Sequence, residues 1–157
     1  MSKYLQPQAR VLDWGTGNGS FVHSKPNGYH VFGHDINPHS PFKRPQAWVE
    51  AWDAVTMFDV IEHMERPDTF IRSLDTRYLF LLTPTTDWCK KSSDILHWKH
   101  FRPDEHQHYF SRTSLLNLLD RCGYKPVEFN HDEGALRDPE HPAYLLTMVA
   151  EFAAWKK

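Results

Sequence analysis

The feature that most constrains the fold of this 157-residue chain is a glycine-spaced turn directly after an apolar run, VLDWGTGNGS at residues 11–20. Gly15, Gly17 and Gly19 allow a positive φ and let a ligand approach the main chain closely. We expect a short helix to follow and to end at Pro26, and its first turn would supply free N–H groups. A strand, a tight turn and a helix in this order predict an α/β fold with a ligand site at the turn.

The rest of the chain alternates short apolar runs with short helical stretches. This pattern predicts a doubly wound, mostly parallel α/β sheet in a single domain spanning 1–157. The predicted strands are residues 10–13, 29–35, 54–58, 78–83, 127–129 and 144–151. We expect one helix to begin at Pro67, and another to run from the N-cap Ser111 to Gly123 at the C′ position.

Two segments depart from this regular pattern. The prolines Pro38, Pro41 and Pro45 disfavour an ordinary crossover helix in residues 36–53. Residues 84–110 are irregular, aromatic and rich in histidine, and a connection of this length usually carries function or mobility. We therefore expect a lid or loop on the substrate side there, and no helical segment before the first strand.

Composition and charge exclude several classes of protein. Eighteen Lys and Arg against twenty Asp and Glu give a net charge of −2, which argues against a basic nucleic-acid surface. Two cysteines are too few for a disulfide framework, and no apolar run is long enough to span a membrane. No signal peptide is recognised. We expect a cytoplasmic protein that binds neither nucleic acid nor membrane.

The charges around the turn restrict its ligand. A dinucleotide fingerprint requires a third glycine where Ser20 stands, and a phosphate-binding P-loop requires a Gly-Lys-Ser/Thr sequence that is missing here. Asp13 would repel a pyrophosphate but suits a cationic ligand. Asp35 ends the next apolar run, where a carboxylate can accept hydrogen bonds from both hydroxyls of a ribose.

A third motif, AWDAVTMFDVIEHMERP, has an apolar run that is followed at once by acids. Met57, Phe58 and Asp59 would lie at the carboxyl edge of the sheet, where α/β folds bind ligands. A thioether, an aromatic face and a carboxylate suit a sulfonium cation. A ligand-free tight turn and a solvated Asp35 are the alternatives that these residues alone leave open.

Five motifs, taken in chain order, resemble those of the class I S-adenosylmethionine-dependent methyltransferases: DWGTGNG, HDINP, FDVIEHMERP, LFLLTP and EHQHYFSRTSLLNLLDRCGY. Within that family the chain looks most like the branch that contains the ubiquinone-biosynthesis O-methyltransferases. The resemblance runs from about residue 10 to the end. It implies a Rossmann-like sheet of seven strands, the last of them antiparallel, and S-adenosylmethionine as the methyl donor.

The resemblance also implies roles for individual residues in binding the donor. Asp13 and the turn would face its methionine part, Asp35 would hold the ribose, and Ile36 would contact the adenine. Met57 and Phe58 would border the methionine and the sulfonium. The predicted donor site comprises Asp13, Trp14, Gly15, Thr16, Gly17, Asp35, Ile36, Met57 and Phe58. Residues 36–53 depart from the family pattern, because they replace a helix and the third strand, where an adenine-contacting acid is usual.

Two histidines are the candidate catalytic residues. A hydroxyl or amine acceptor must lose its proton, and imidazole suits that task near neutral pH. His106 and His63 match positions where the related O-methyltransferases often carry histidine, and His106 is favoured because it lies in the predicted lid. A structural histidine bonded to the backbone is the competing interpretation for each.

A metal site is the other chemistry that the resemblance raises. In the ubiquinone branch a Glu-x-x-Glu-His cluster is associated with a divalent cation. The corresponding residues here are Asp59, Glu62 and His63, and the first acid is shorter by one methylene. We expect no metal.

The sequence therefore predicts a methyltransferase that acts on a small-molecule acceptor, with oxygen favoured, and a homodimer is a further expectation. A non-catalytic donor-binding remnant or partner subunit is the first alternative. A nicotinamide-dependent oxidoreductase is the second, and both Ser20 and Asp13 argue against it.

Overall fold

A single sheet of six strands organises the described part of the chain. The computed structural model describes residues 1–24, 28–43, 49–137, 139–141 and 144–155. The strands are β1 (Arg10–Trp14), β2 (His30–His34), β3 (Ala51–Phe58), β4 (Asp75–Pro84), β5 (Tyr124–Asn130) and β6 (Leu145–Phe152). They lie in the order β2-β1-β3-β4-β6-β5, with β6 antiparallel to both its neighbours and the first four strands parallel.

Four short α-helices accompany the strands in the described residues. They are α1 (Ser20–Ser24), α2 (Pro67–Ser73), α3 (Arg112–Arg121) and α4 (Asp132–Arg137). Pro67 is the first residue of α2, where its missing N–H costs nothing. The side chain of Ser111 caps α3, and Gly123 follows that helix with a φ of +86°. Both predicted helix starts are therefore confirmed.

Each face of the sheet carries its own apolar cluster, because successive side chains of a strand point to opposite faces. Helices α2 and α3 cover the larger cluster, which includes Met57, Leu79 and Leu115. Residues from the N-terminal segment cover the smaller one, around Tyr78 and Phe80. The two faces therefore differ in how completely helices shield them.

The predicted doubly wound, mostly parallel α/β fold is confirmed. The resemblance implies seven strands, whereas the described residues form six. Residues 36–43, 49 and 50, which stand where the third strand was expected, contain neither strand nor α-helix. Pro26, predicted to end α1, and Pro45, predicted to break a crossover helix, lie outside the described residues.

Strand β5 was predicted with the wrong start, and helix α4 was not predicted. The strand begins at Tyr124 rather than at residue 127, although it contains Pro126. Proline is tolerated on an edge strand, and the register shifts between Pro126 and Glu128. Helix α4 has only six residues, one of them Gly134, so its sequence carries almost no helical periodicity.

Among the described residues, no helix has the length and apolar character needed to cross a membrane.

The cap of α3 provides a test of the local structure. Ser111 Oγ accepts a hydrogen bond from the backbone N–H of Ser114 at 3.1 Å. We expect Ser111→Ala to lower the free energy of unfolding by about 1 kcal/mol, the usual cost of a lost N-cap. Urea denaturation measures the change, and Thr113→Ala in the same exposed turn is the matched control. Equal stability of Ser111→Ala and wild type would contradict the assignment.

Candidate functional site

The turn between β1 and α1 lies at the carboxyl edge of the sheet, next to the end of β2. Gly15, Gly17 and Gly19 have φ angles of +79°, +54° and +79°, in the left-handed region that glycine adopts without strain. The backbone N–H groups of Gly15 and Thr16 both donate to the carbonyl of His34, at 2.8 and 3.2 Å. These two bonds fix the turn against the neighbouring strand.

Gly15 and Gly17 are glycines for different reasons. A Cβ atom added to Gly15 would lie 2.4 Å from a methyl group of Val60, so a side chain there would clash with the residue that follows β3 by two positions. A Cβ added to Gly17 would meet nothing within 4 Å. The backbone at Gly17 therefore faces open space, which a ligand can enter.

Asp35 lies directly beside this open part of the turn, in the place that the sequence predicted. One carboxylate oxygen accepts from the backbone N–H of Gly17 and the other from that of Asn37, both at 2.8 Å. The residue is only 9% exposed. Because an ionised carboxylate accepts about four hydrogen bonds in total, about two acceptor positions are left for a ligand.

A second acid, Asp13, lies beneath the turn. It is buried, and its Oδ1 accepts a hydrogen bond of 2.6 Å from the Thr56 hydroxyl. Burial is the main cause that raises the pKa of Asp13; the bond from Thr56 opposes this effect, and the charge of Asp35 adds to it. The two acids are thus close enough for their charges to interact, and a cation beside them would relieve their repulsion.

An apolar pocket of about 330 Å³ adjoins the turn. Trp14, Gly15 and Ile36 line one part of it, and Val60, His63 and Phe70 line another. The Trp14 ring packs on Phe70 at 4.5 Å between centroids. Ile36 is 83% exposed, so its side chain is available to a ligand.

A larger cavity, of about 540 Å³, opens on the face of the sheet that the N-terminal segment covers. Phe21, Phe58 and Phe80 contribute to its lining, and the Phe21 and Phe58 rings meet edge to face at 5.4 Å. Arg137 of α4, at its rim, pairs with Asp59 at 2.8 Å.

The structure separates two predicted site residues that are neighbours in the sequence. Phe58 reaches the larger cavity, but Met57 is fully buried in the apolar cluster under α2 and α3. Their side chains point to opposite faces because they follow each other in β3. The sequence motif could not distinguish the two faces, and the Met57 thioether is not brought to the turn.

The two candidate catalytic histidines lie together after the end of β3. The rings of His63 and His106 meet edge to face at 4.7 Å between centroids. His63 is exposed and His106 is 7% exposed. A carboxylate oxygen of Glu62 and one ring nitrogen of each histidine all lie within 4.8 Å of one another. Sequence reasoning did not connect Glu62 with His106, because the two residues are distant in the chain.

Backbone hydrogen bonds hold this cluster in place. The carbonyl of Glu62 accepts from the N–H groups of Gln107 and His108, at 2.8 and 3.0 Å. His63 Nδ1 lies 2.9 Å from the carbonyl of Glu105 and donates to it. The loop that carries His106 is therefore tied to the segment that carries Glu62 and His63.

Burial shifts the pKa values of two members of this cluster, Glu62 and His106. Glu62 is 1% exposed, and burial raises its pKa to about 7, while the hydrogen bond from Thr83 opposes the rise. Burial and the neighbouring His63 lower the pKa of His106. His106 is therefore a neutral imidazole at pH 7, which is the form that accepts a proton.

A carboxylate with two imidazoles also has the donor atoms that a divalent cation accepts. Of the described residues, only Glu62, His63 and His106 converge in this way. Asp59, the first acid of the set considered in the sequence, pairs instead with Arg137.

The aromatic residues of the long loop pack on each other and on Tyr144, with Trp88 at 4.7 Å from that ring and Trp98 at 6.0 Å.

Comparison with known proteins identifies the family of this chain. The profile of a family described as a methyltransferase domain matches residues 1–128, so the chain belongs to that family. No curated protein matches the chain in sequence.

Solved structures share the fold at low sequence identity. A protein from Galdieria sulphuraria, described as a candidate sarcosine dimethylglycine methyltransferase, has a TM-score of 0.67 at 14% identity, covering 99% of this chain and 82% of its own. A SAM-dependent methyltransferase from Archaeoglobus fulgidus has a TM-score of 0.66 at 18% identity, covering 96% and 89%. One from Methanosarcina mazei has a TM-score of 0.64 at 18% identity, covering 96% and 95%. Family and fold together make this chain a class I S-adenosylmethionine-dependent methyltransferase.

The residues at the turn fit this methyl donor. The space over Gly17 is open, two acids suit a sulfonium, and the buried hydroxyl of Thr16 has no hydrogen-bond partner. The ring of Phe42 limits the fit on one side, because it fills the space next to Gly19, where an added Cβ would lie 2.4 Å from it. The open space is therefore over Gly17, because Val60 fills the space next to Gly15 as Phe42 does next to Gly19.

The different surroundings of the two glycines give a paired prediction. Gly17→Ala introduces only left-handed strain, which costs about 1–2 kcal/mol of stability. Gly15→Ala adds the clash with Val60, and overpacking costs about 1–3 kcal/mol more. Chemical denaturation without ligand measures both variants. Equal losses would show that packing against Val60 does not restrict position 15.

Proposed function

We propose that this methyltransferase transfers a methyl group from S-adenosylmethionine to an oxygen atom of a small-molecule acceptor. The observation that carries the proposal is the position of the Asp35 carboxylate beside the open backbone of Gly17. A ribose placed there donates its hydroxyls to the free acceptor positions of Asp35. This geometry supports a nucleoside-containing ligand at the turn.

We assign the remaining parts of the donor to the surfaces next to the turn. The adenine lies in the apolar pocket between Ile36 and the Trp14–Phe70 pair. The methionine part faces Asp13 and the backbone of Gly15, Thr16 and Gly17, and Phe58 borders the sulfonium from the larger cavity. Met57 contributes only by packing from the core side.

When bound, the donor supplies a methyl carbon that positive sulfur has already activated. The chain therefore has to orient the two reactants and exclude water. A hydroxyl acceptor must also lose its proton as it is methylated. We assign this step to His63, because its Nδ1 donates to a carbonyl and its Nε2 is left to accept a proton. His106 lies behind it and shares this role.

Asp35→Asn tests the donor site. Asparagine keeps one oxygen but removes the charge, so we expect donor binding to weaken by about 1–3 kcal/mol, the scale of hydrogen bonds to charged groups. Calorimetric titration with S-adenosylmethionine measures the change. Asp87→Asn is the matched control, since Asp87 also accepts from a backbone N–H, that of Arg112, after a different strand. Unchanged affinity in Asp35→Asn would remove Asp35 from the site.

The histidines are tested by separating catalysis from donor binding. His63→Gln and His106→Gln should each slow methyl transfer by about 100-fold or more, the usual contribution of a general base. Donor affinity should stay nearly unchanged. A panel of simple phenols with radiolabelled donor provides the assay, and His97→Gln, at an exposed position of the same loop, is the control. A large loss of donor affinity would show instead that the histidines shape the donor pocket.

The methyltransferase family match argues against the nicotinamide-dependent oxidoreductase. A non-catalytic remnant would bind the donor but methylate no member of the acceptor panel.

A further inference from the structure

The larger cavity, on the face of the sheet that the N-terminal segment covers, has a floor made of two rows of cross-strand neighbours. The first row consists of Phe58 in β3, Leu82 in β4, Thr147 in β6 and Asn130 in β5. The second row, two residues away on its strands, consists of Phe80, Val149 and Glu128. Residues directly opposite each other share one face of a sheet. The cavity therefore extends from the end of β3 to the edge strand β5.

The Phe58 end of this cavity adjoins the glycine turn. Phe58 is the last residue of β3, and Phe21 is the second residue of α1, the helix that follows the turn. Their rings meet at 5.4 Å and both line the cavity. This end therefore faces the place proposed for the donor sulfonium, and an acceptor must contact the methyl group there to react.

Aromatic rings form much of the cavity wall. The rings of Phe21 and Phe58 are inclined at 87° to each other, and those of Tyr4 and Phe80 at 66° with 6.1 Å between centroids. Rings in such arrangements offer both faces and edges to a flat ligand. The volume of about 540 Å³ lies in the range of small-molecule sites. These features favour an aromatic ligand of more than one ring.

The charged side chains at the cavity rim already form ion pairs. Lys3 pairs with Glu128 at 2.7 Å, and Arg137 pairs with Asp59 at 2.8 Å. Glu133 adds a further acid to the lining. A ligand carboxylate would meet more acids than bases there and would lose its hydration in an apolar space. The charges therefore favour an uncharged ligand.

One hydroxyl beside the cavity floor is left without a hydrogen bond. Thr147 Oγ1 is buried and has no partner in the part of the chain that the structure describes. The neighbouring Asn130 side chain already accepts from the backbone N–H of Asp132, at 3.1 Å. Thr147 lies two strands away from Phe58, which is about 10 Å at the usual strand spacing. A polar ligand group at that distance from the Phe58 end would satisfy the hydroxyl.

From this geometry we propose that the larger cavity binds the acceptor, and that the acceptor is an uncharged phenol of two rings with a second polar group at its far end. The reacting hydroxyl lies at the Phe58 end, and the second polar group hydrogen-bonds to Thr147. The inference rests on the proposed function and adds the place and the chemical class of the acceptor.

The reaction at the Phe58 end requires no further reactant. The phenol oxygen forms a bond to the methyl carbon while the carbon–sulfur bond breaks, and the electron pair of that bond stays on sulfur. The phenol proton leaves to the base proposed above, which belongs to the segment that directly follows Phe58.

The first test compares three ligands of the wild-type protein. We titrate 4,4′-dihydroxybiphenyl, 4-hydroxybiphenyl and 4′-hydroxybiphenyl-4-carboxylate in the calorimeter, with and without S-adenosylhomocysteine. The diol should bind most tightly and the carboxylate at least about 10-fold more weakly, because its charge is desolvated without a free cation. Carboxylate binding as tight as that of the diol would overturn the proposal, and so would a lack of binding by all three ligands in both conditions.

The second test removes the unpaired hydroxyl. Thr147→Val keeps the shape of the side chain, so we expect the diol to bind about 5-fold more weakly, as for one lost neutral hydrogen bond. The affinity for 4-hydroxybiphenyl, which has no second hydroxyl, should stay unchanged. The same change for both ligands, or for neither, would overturn the role of Thr147.

The third test fills the cavity from its floor. Val149→Phe places a ring in the second row, and it should weaken diol binding by about 10-fold or more because overpacking leaves less room for the ligand. The affinity for S-adenosylmethionine should stay at the wild-type value. Val127→Phe, at a 41% exposed position of β5, is the matched control. Equal diol binding by the two variants would overturn the proposal; if Val149→Phe fails to fold, the Thr147→Val comparison decides it.

Failure of the proposed function gives a different result from failure of this inference. If the wild-type protein does not bind S-adenosylmethionine in the calorimeter, the proposed function fails, whatever the biphenyls do. If the donor binds and simple phenols are methylated, but the biphenyls do not respond to Thr147→Val and Val149→Phe, only the assignment of the acceptor fails.

Discussion

The hydrogen bonds between the glycine turn and the end of β2 are the constraint on which the rest of the site depends. Gly15 and Thr16 donate to one carbonyl of β2, and Gly17 donates to the carboxylate of the residue that follows it. The turn is thus held by the neighbouring strand and by the residue that follows it. The glycine turn follows the carboxyl end of β1, and Asp35 follows the carboxyl end of β2. The parallel pairing of these two strands therefore brings the turn and Asp35 together.

The alternation of side chains along β3 divides the site between the two faces of the sheet. Phe58 faces the larger cavity, and Met57, one residue earlier, faces the opposite core. The chain then turns at Asp59, whose φ of +55° is unusual for a residue other than glycine. This turn sends Val60 onto Gly15 and Glu62 toward the loop of His106. One short segment therefore connects the proposed donor pocket, the larger cavity and the histidine cluster.

The sequence predicted what depends on local patterns and missed what depends on long-range contacts. The mostly parallel α/β sheet, the turn at Gly15 and the position of Asp35 follow from spacing and apolar runs, and all three appear in the structure. The seventh strand came only from resemblance and is not found in the described residues. Glu62 was known as part of a motif, but its approach to His106 requires the loop to return across the sheet edge. The sequence did not reveal that Met57 is buried in the core, because a motif does not specify which face of the sheet a side chain occupies.

The contact between His63 and His106 would also link the proposed donor and acceptor sites thermodynamically. His63 lines the pocket proposed for the donor, whereas His106 belongs to the loop predicted to lie on the substrate side. Any acceptor that shifts the loop must therefore alter the wall against which the donor packs. By reciprocity, the donor then changes the acceptor's affinity by the same factor. Ordered binding of the two substrates would follow from this arrangement, in which the His63–His106 ring contact and the backbone hydrogen bonds to Glu62 together join the loop to the segment after β3.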